Sequence, residues 1–432
     1  MTRLFLSLVC LTLIGCGPQR IFRSKSPDRA HVVEIWKHGD QQFVRIDGRK
    51  QRSFAGIGVD GFSWSSDGRH FAYPAQSADG WFVVVDGQAY GPWSGIGEFV
   101  WSPDGMHFAY SAEKRRFWVV VQDGTKIGTD FDAIMERSIA FSSNGERFGY
   151  VVQDGRNMRA IVNGHAGPKF DGIGRLAFSA DNQHHIYLAR RADTAFLVID
   201  DQISAPYESI ADLVLSPSGF HWAILSRFDG AWHAIVDDVA GPPLDSIDSP
   251  VFSSAGRRVA YAGWKGKTAF VIVDGQSSAE FDEILHSSVV FDAQGQHVAF
   301  AARRGSTWRV IVDSREEREY AKVSAPLLAG ETVAYVAERG DDMFVVLNGV
   351  EGPHFDRITD LALSLDGRHH GYVAMKPQES FIVLDGAAKR YDIVVDGAFV
   401  LSNDGQHWGG LIGDPKQRKL FLTIDGTRQI PM

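Results

Sequence analysis

From about residue 26 onward the chain alternates short apolar runs with small, polar turn residues, and the alternation repeats itself. One phrase, Phe62-Ser63-Trp64-Ser65-Ser66-Asp67-Gly68-Arg69-His70-Phe71-Ala72-Tyr73, returns as Phe99-Val100-Trp101-Ser102-Pro103-Asp104-Gly105-Met106-His107-Phe108-Ala109-Tyr110. It recurs at Ile139–Tyr150, Val251–Tyr261, Val289–Phe300, Leu361–Tyr372 and from Phe399, with looser copies at Ser26–Val33, Leu176–Tyr187, Leu213–Leu225 and Leu327–Tyr335. The turn position steps along the chain by 35 to 40 residues, from Arg29 through Gly68 and Gly105 to Gly405. A second phrase follows the first, as in Phe82-Val83-Val84-Val85-Asp86-Gly87 and Phe381-Ile382-Val383-Leu384-Asp385-Gly386. Asp-Gly between β-branched runs is the strongest short hairpin signal, because the turn needs positive φ. Each unit therefore predicts four short antiparallel strands, and the lack of a 3.6-residue apolar period predicts almost no helix.

A four-stranded unit of this size cannot cover both of its faces, whereas stacking unit on unit can. The residues at Trp64, Trp101, Phe141, Phe178, Leu215, Phe252, Phe291, Leu363 and Leu401 form one column, expected to pack between units. Residues 26–432 number 407, eleven times 37, which leaves no room for another domain. The Ser-Pro-Asp-Gly-x-x-φ-Ala-Tyr phrase resembles the propeller repeats of the TolB type, relatives of WD-repeat blades. The resemblance implies an all-β propeller of about eleven four-stranded repeats. Because propellers usually hold four to eight blades, two tandem rings dividing near residue 210 are expected, with one large ring as the alternative. TolB carries an α/β domain ahead of its propeller, and with no room for one here its role is not carried over.

The N-terminus has a different pattern. Arg3 precedes an apolar run from Leu4 to Ile14, too short to span a bilayer and suited to a signal peptide. It ends Leu13-Ile14-Gly15-Cys16, which resembles the lipobox of bacterial lipoproteins. The resemblance implies lipid transfer to the Cys16 sulfur, cleavage before it, and anchoring by two or three acyl chains. The expected organisation is a signal peptide over 1–15, a lipidated tether over 16–25 and the repeat array over 26–432. Gly17 follows the Cys rather than Asp, so in a Gram-negative cell the expected location is the outer membrane, on its periplasmic or surface face.

Composition narrows the partners. The net charge of −9 argues against nucleic acid, which demands clustered Lys and Arg. Of the two Cys, Cys10 lies in the signal run, so a disulfide framework or Cys-based metal site is not expected. No G-x-S-x-G elbow, phosphate loop or H-E-x-x-H occurs, and no cofactor, metal or catalytic residue is assigned. Eight of the 15 His residues (His31, His70, His107, His184, His221, His297, His369 and His407) stand two residues after the turn, with Arg147 and Arg258 in other copies. Exchange with Arg marks a hairpin partner rather than a metal ligand. An acid precedes the first strand of many units: Asp60, Glu98, Glu136, Asp212, Asp248, Asp360 and Asp396. Such acids are either solvated loop residues or a converging rim for a cation, an amine or a basic peptide. The expected function is a membrane-anchored scaffold binding a protein or envelope polymer without catalysis. The alternative is a lyase or glycan-processing enzyme with its site at a channel mouth.

Overall fold

The computed structural model describes residues 17–414 and 419–431, which form eleven antiparallel sheets. They are numbered here as repeats 1 to 11 and span 19–54, 56–93, 95–131, 133–166, 172–203, 209–240, 246–277, 283–316, 322–351, 357–391 and 393–431. Each is a meander whose first, second, third and fourth strands lie side by side in chain order, the blade of a β-propeller fold. In repeat 2, Phe71–Ser77 pairs with Gly80–Val85, and that strand pairs with Gln88–Trp93. Helical structure among the described residues is one 3₁₀ turn, Val59–Gly61.

The first strand is irregular throughout. In seven repeats it is broken into two short pieces on the same partner strand. In repeats 1, 3, 6 and 10 it is continuous but shifts register. Bulges of this kind re-aim side chains, and the acids listed above sit at these irregularities.

Packing runs from repeat to repeat. Val33, Ile35 and Val44 of repeat 1 receive Phe71, Tyr73, Ala75, Phe82 and Val84 of repeat 2. Tyr73, Tyr110, Tyr150, Tyr187, Tyr335 and Tyr372 occupy one equivalent position and are fully buried. Burying each such ring removes enough apolar surface to stabilise by about 1.5–3 kcal/mol. The column expected to fill the space between units is real but lies at its margin. Trp64 and Trp101 stay half-buried, and their indole N–H groups donate to Ser24 at 3.0 Å and Ser63 at 3.1 Å in the preceding repeat. The deep positions belong to the second and third strands, each of which has a sheet neighbour on both sides.

The expected tether needs correction. Gln19–Lys25 is the first strand of repeat 1, paired with the strand Val32–His38, and the Phe22 ring packs at a tilt 5.3 Å from Phe62. Its outward positions are charged because no repeat covers them, which gave the segment the look of a linker. Cys16 and the signal run lie outside the described residues.

The chain divides into two compact units. One holds residues up to 178 together with 182–205, and the other holds 179–181 with 206–432. Repeats 1 to 5, save residues 179–181 of repeat 5, thus belong to the first and repeats 6 to 11 to the second. Within the second, repeat 11 leaves Ile393, Val400, Leu420, Leu422 and Ile424 exposed. Strand register places all five on one sheet face with Leu411. The equivalent face of repeat 10, with Val373 and Ile382, is buried under repeat 11.

Candidate functional site

Two sets of polar side chains recur in the array, and both begin with turn chemistry. At the hairpin between third and fourth strands, Asp or Asn takes positive φ, from 45° to 51° at Asp47, Asp86, Asn163 and Asp237, for example. This aims its side chain back at the start of the second strand. In repeat 2, Asp86 Oδ1 accepts the backbone N–H of Phe71 at 3.1 Å while Oδ2 lies 2.6 Å from His70 Nδ1. The backbone half of this clasp occurs in all eleven repeats, from Asp47 on Val32 to Asp425 on Trp408. The His half occurs in eight, from His31–Asp47 to His407–Asp425. The hydrogen bond to the Asp47 carboxylate raises the pKa of His31, and the bond from His31, then that from the Val32 N–H, lowers the carboxyl of Asp47. His297, His369 and His407 are raised by their Asp partners in the same way.

Exchange of His for Arg follows from this geometry. Arg258 Nε takes Asp274 at 2.8 Å, and its longer fork reaches the carbonyl of Gln296 in the next repeat at 2.6 Å. A serine completes the turn: Ser65 Oγ donates to Asp67 at 2.5 Å and accepts the His70 N–H at 3.0 Å. Sequence reading missed the serine's role, although its fixed place two residues before the Asp carries the signal of an ST turn.

The acids form the second set. They stand within the interrupted first strand rather than before it, because that strand begins earlier than its apolar run. Four of them reach the equivalent loop of the following repeat. Glu98 accepts the N–H of Ile139 at 3.4 Å, and burial raises its carboxyl pKa against the opposing pull of the Ile139, Ser138 and Arg137 amides. Asp212 accepts from the Ser249 hydroxyl. Asp248 lies 2.7 Å from His286 Nδ1 and accepts the Ser287 N–H at 3.0 Å. Asp360 accepts the Gly397 N–H with both oxygens, at 3.1 and 2.8 Å, and the Phe399 N–H at 3.4 Å. Asp396 turns the other way, onto Arg357 of repeat 10 at 2.7 Å. Asp60 and Glu136 are exposed. The carboxylates thus link neighbouring repeats along each unit.

Among the described residues no group of three or more His, Cys, Asp or Glu is placed to hold a metal ion. A cavity of about 310 Å³ between repeats 7 and 8 has a floor of Phe281 and Phe300 and carries Arg258, Asp313 and Glu316. All three charges are engaged within the fold: Arg258 with Asp274, Asp313 with His297, and Glu316 with Arg304 and Arg309.

No family model and no curated protein matches the chain. Among solved structures it is similar to the eukaryotic initiation factor, at 14% identity over 86% of this chain and 96% of that one, with a TM-score of 0.39. It is also similar to the Dos1 propeller, at 13% identity over 69% and 92%, with a TM-score of 0.31. A third is TolB from Acinetobacter baumannii, at 14% identity over 60% and 79%, with a TM-score of 0.28.

Proposed function

We propose that this chain is a lipid-anchored propeller of the bacterial cell envelope, held by acyl chains on Cys16, that binds a protein or envelope polymer through its repeat surfaces. The observation that carries the binding role is the bare aliphatic face of repeat 11, with Val400 at 63% exposure and Leu420, Leu422 and Ile424 close to 40%. A contiguous apolar patch of this kind on a water-facing protein marks an interaction site. Repeat proteins ordinarily close such an end with a polar face. The anchor reading rests on Leu13-Ile14-Gly15-Cys16 and on a strand that begins at Gln19, so the blades start almost at the acylation position.

The test compares capture from detergent-solubilised envelopes by the wild-type protein and by Leu420→Asp/Leu422→Asp. A partner retained by the first and lost by the second supports the reading. Identical captures contradict the assignment of that face. Labelling with a palmitate analogue, with Cys16→Ala as control, tests the anchor separately.

A further inference from the structure

Charge is distributed very unevenly along the chain. Residues 17–54, which are repeat 1 and its lead-in, hold nine Lys or Arg and four Asp or Glu, a net +5. The remaining residues hold 35 basic and 49 acidic. Repeat 1 is therefore a cationic blade on an otherwise acidic protein, and it follows directly after Cys16.

The face of repeat 1 turned away from repeat 2 collects these charges around two aromatic rings. Seven of the ten later blades present a Tyr here, such as Tyr73 opposite Val84, and none of the ten carries a charge at this position. Repeat 1 has Glu34 opposite Arg45 instead, beside Trp36 opposite Phe43. Arg45 lies over the Trp36 ring at 4.6 Å, Lys50 over Phe43 at 4.2 Å, and Arg20 5.9 Å from Trp36. Glu34 pairs with Arg20 and accepts the Trp36 indole N–H at 3.2 Å. Arg23, 51% exposed, lies 3.9 Å from the same carboxylate, and Lys25 and Lys50 are exposed. A polar cap on a stack of blades needs polarity but no excess of either sign. The excess of cations, grouped around a half-buried Trp, needs a further reason.

We infer that this face docks on anionic phospholipid headgroups of the membrane that carries the anchor. The inference rests on the proposed acylation of Cys16 for its location. Only Gly17 and Pro18 separate Cys16 from the strand Gln19–Lys25, which at about 3.3 Å per residue keeps the start of that strand within roughly 10 Å of the acylation position. Basic residues this close to an anionic leaflet gain from its surface potential, and Trp settles at the headgroup level. A basic patch beside acyl chains is the second signal that makes lipid anchoring stable. It would also fix the orientation of repeat 1 on the lipid.

The test uses the protein from Gly17 onward, without lipid, in co-sedimentation with vesicles of phosphatidylcholine alone or mixed equally with phosphatidylglycerol. Binding about tenfold tighter to the anionic vesicles is expected, and it should disappear when salt is raised to about 0.5 M. Arg23→Gln/Lys25→Gln/Lys50→Gln leaves the Arg20–Glu34 pair and the Arg45–Trp36 stack in place and should weaken binding by about tenfold or more. Lys114→Gln/Lys169→Gln/Lys265→Gln changes net charge equally on other repeats and should leave it intact. Equal binding to both vesicle types, or equal loss in both triple variants, overturns the inference. Mass analysis of Cys16 reads the anchor independently, so failure of one leaves the other standing.

Discussion

His407 Nδ1 lies 2.8 Å from Asp425 Oδ2, and the other oxygen of that carboxylate holds the Trp408 N–H at 2.9 Å. The same clasp closes hairpins elsewhere in the array, and His31, His297 and His369 are raised by their Asp partners as well. The hydrogen bond to the Asp425 carboxylate raises the folded pKa of His407, and the Trp408 N–H, then His407, lowers that of Asp425. The His contribution is full below its unfolded value near 6.5 and is lost as pH rises through the raised folded value. The Asp contribution is full above its unfolded value near 3.9 and is lost as pH falls through the lowered one. Stability should therefore peak at about pH 4–6.5 and decline toward pH 8. Thermal unfolding across that range checks this, and His31→Gln/His369→Gln/His407→Gln should flatten the alkaline decline.

The Asp360 carboxylate ties repeat 10 to the start of repeat 11. Asp360→Ala removes the acceptor for two backbone N–H groups and also places Ala at φ 56°, so a loss of about 2–3 kcal/mol is expected. Asp360→Asn keeps an acceptor and tolerates that φ, and should cost about 1 kcal/mol. Hydrogen exchange at the Gly397 and Phe399 amides reads the effect locally. Acceleration confined to repeats 10 and 11 is the expected result.

Gly241 stands where the Tyr261 hydroxyl approaches the chain. A Cβ on Gly241 would clash with that oxygen and lie 3.5 Å from the ring carbon bearing it. Gly241→Ala should destabilise by more than 1 kcal/mol, and Tyr261→Phe should recover much of the loss. A double-mutant cycle by urea unfolding gives the coupling. A different outcome is expected for Tyr150→Phe. The Tyr150 hydroxyl is buried without a hydrogen-bond partner, and burial pushes its pKa up to about 12. Removing it should be neutral or slightly stabilising.

Much of the architecture was legible in the residues because turn chemistry is local. Asp86-Gly87 and Ser65-x-Asp67-Gly68 specify their hairpins without help from distant contacts, and a copy near every 37 residues fixes the blade number. The His–Asp partnership was legible as a phase, since His70 and His407 share a place that Arg258 can also take. Three features were not. Gln19–Lys25 reads as linker because an uncovered strand face carries charge instead of alternation. The destination of Asp248 and Asp360 depends on a strand irregularity that re-aims them at a residue 37 to 39 positions away. Closure into rings depends on which end faces meet, and the faces of repeats 1 and 11 differ from the repeat pattern at Glu34, Arg45, Leu420 and Leu422.

The lipid on Cys16 is the most direct test of the proposed role. Intact and N-terminal peptide masses of the protein from the membrane fraction should show a chain beginning at Cys16 and carrying diacylglycerol. A chain retaining residues 1–15, or one beginning elsewhere with no lipid on Cys16, would contradict it.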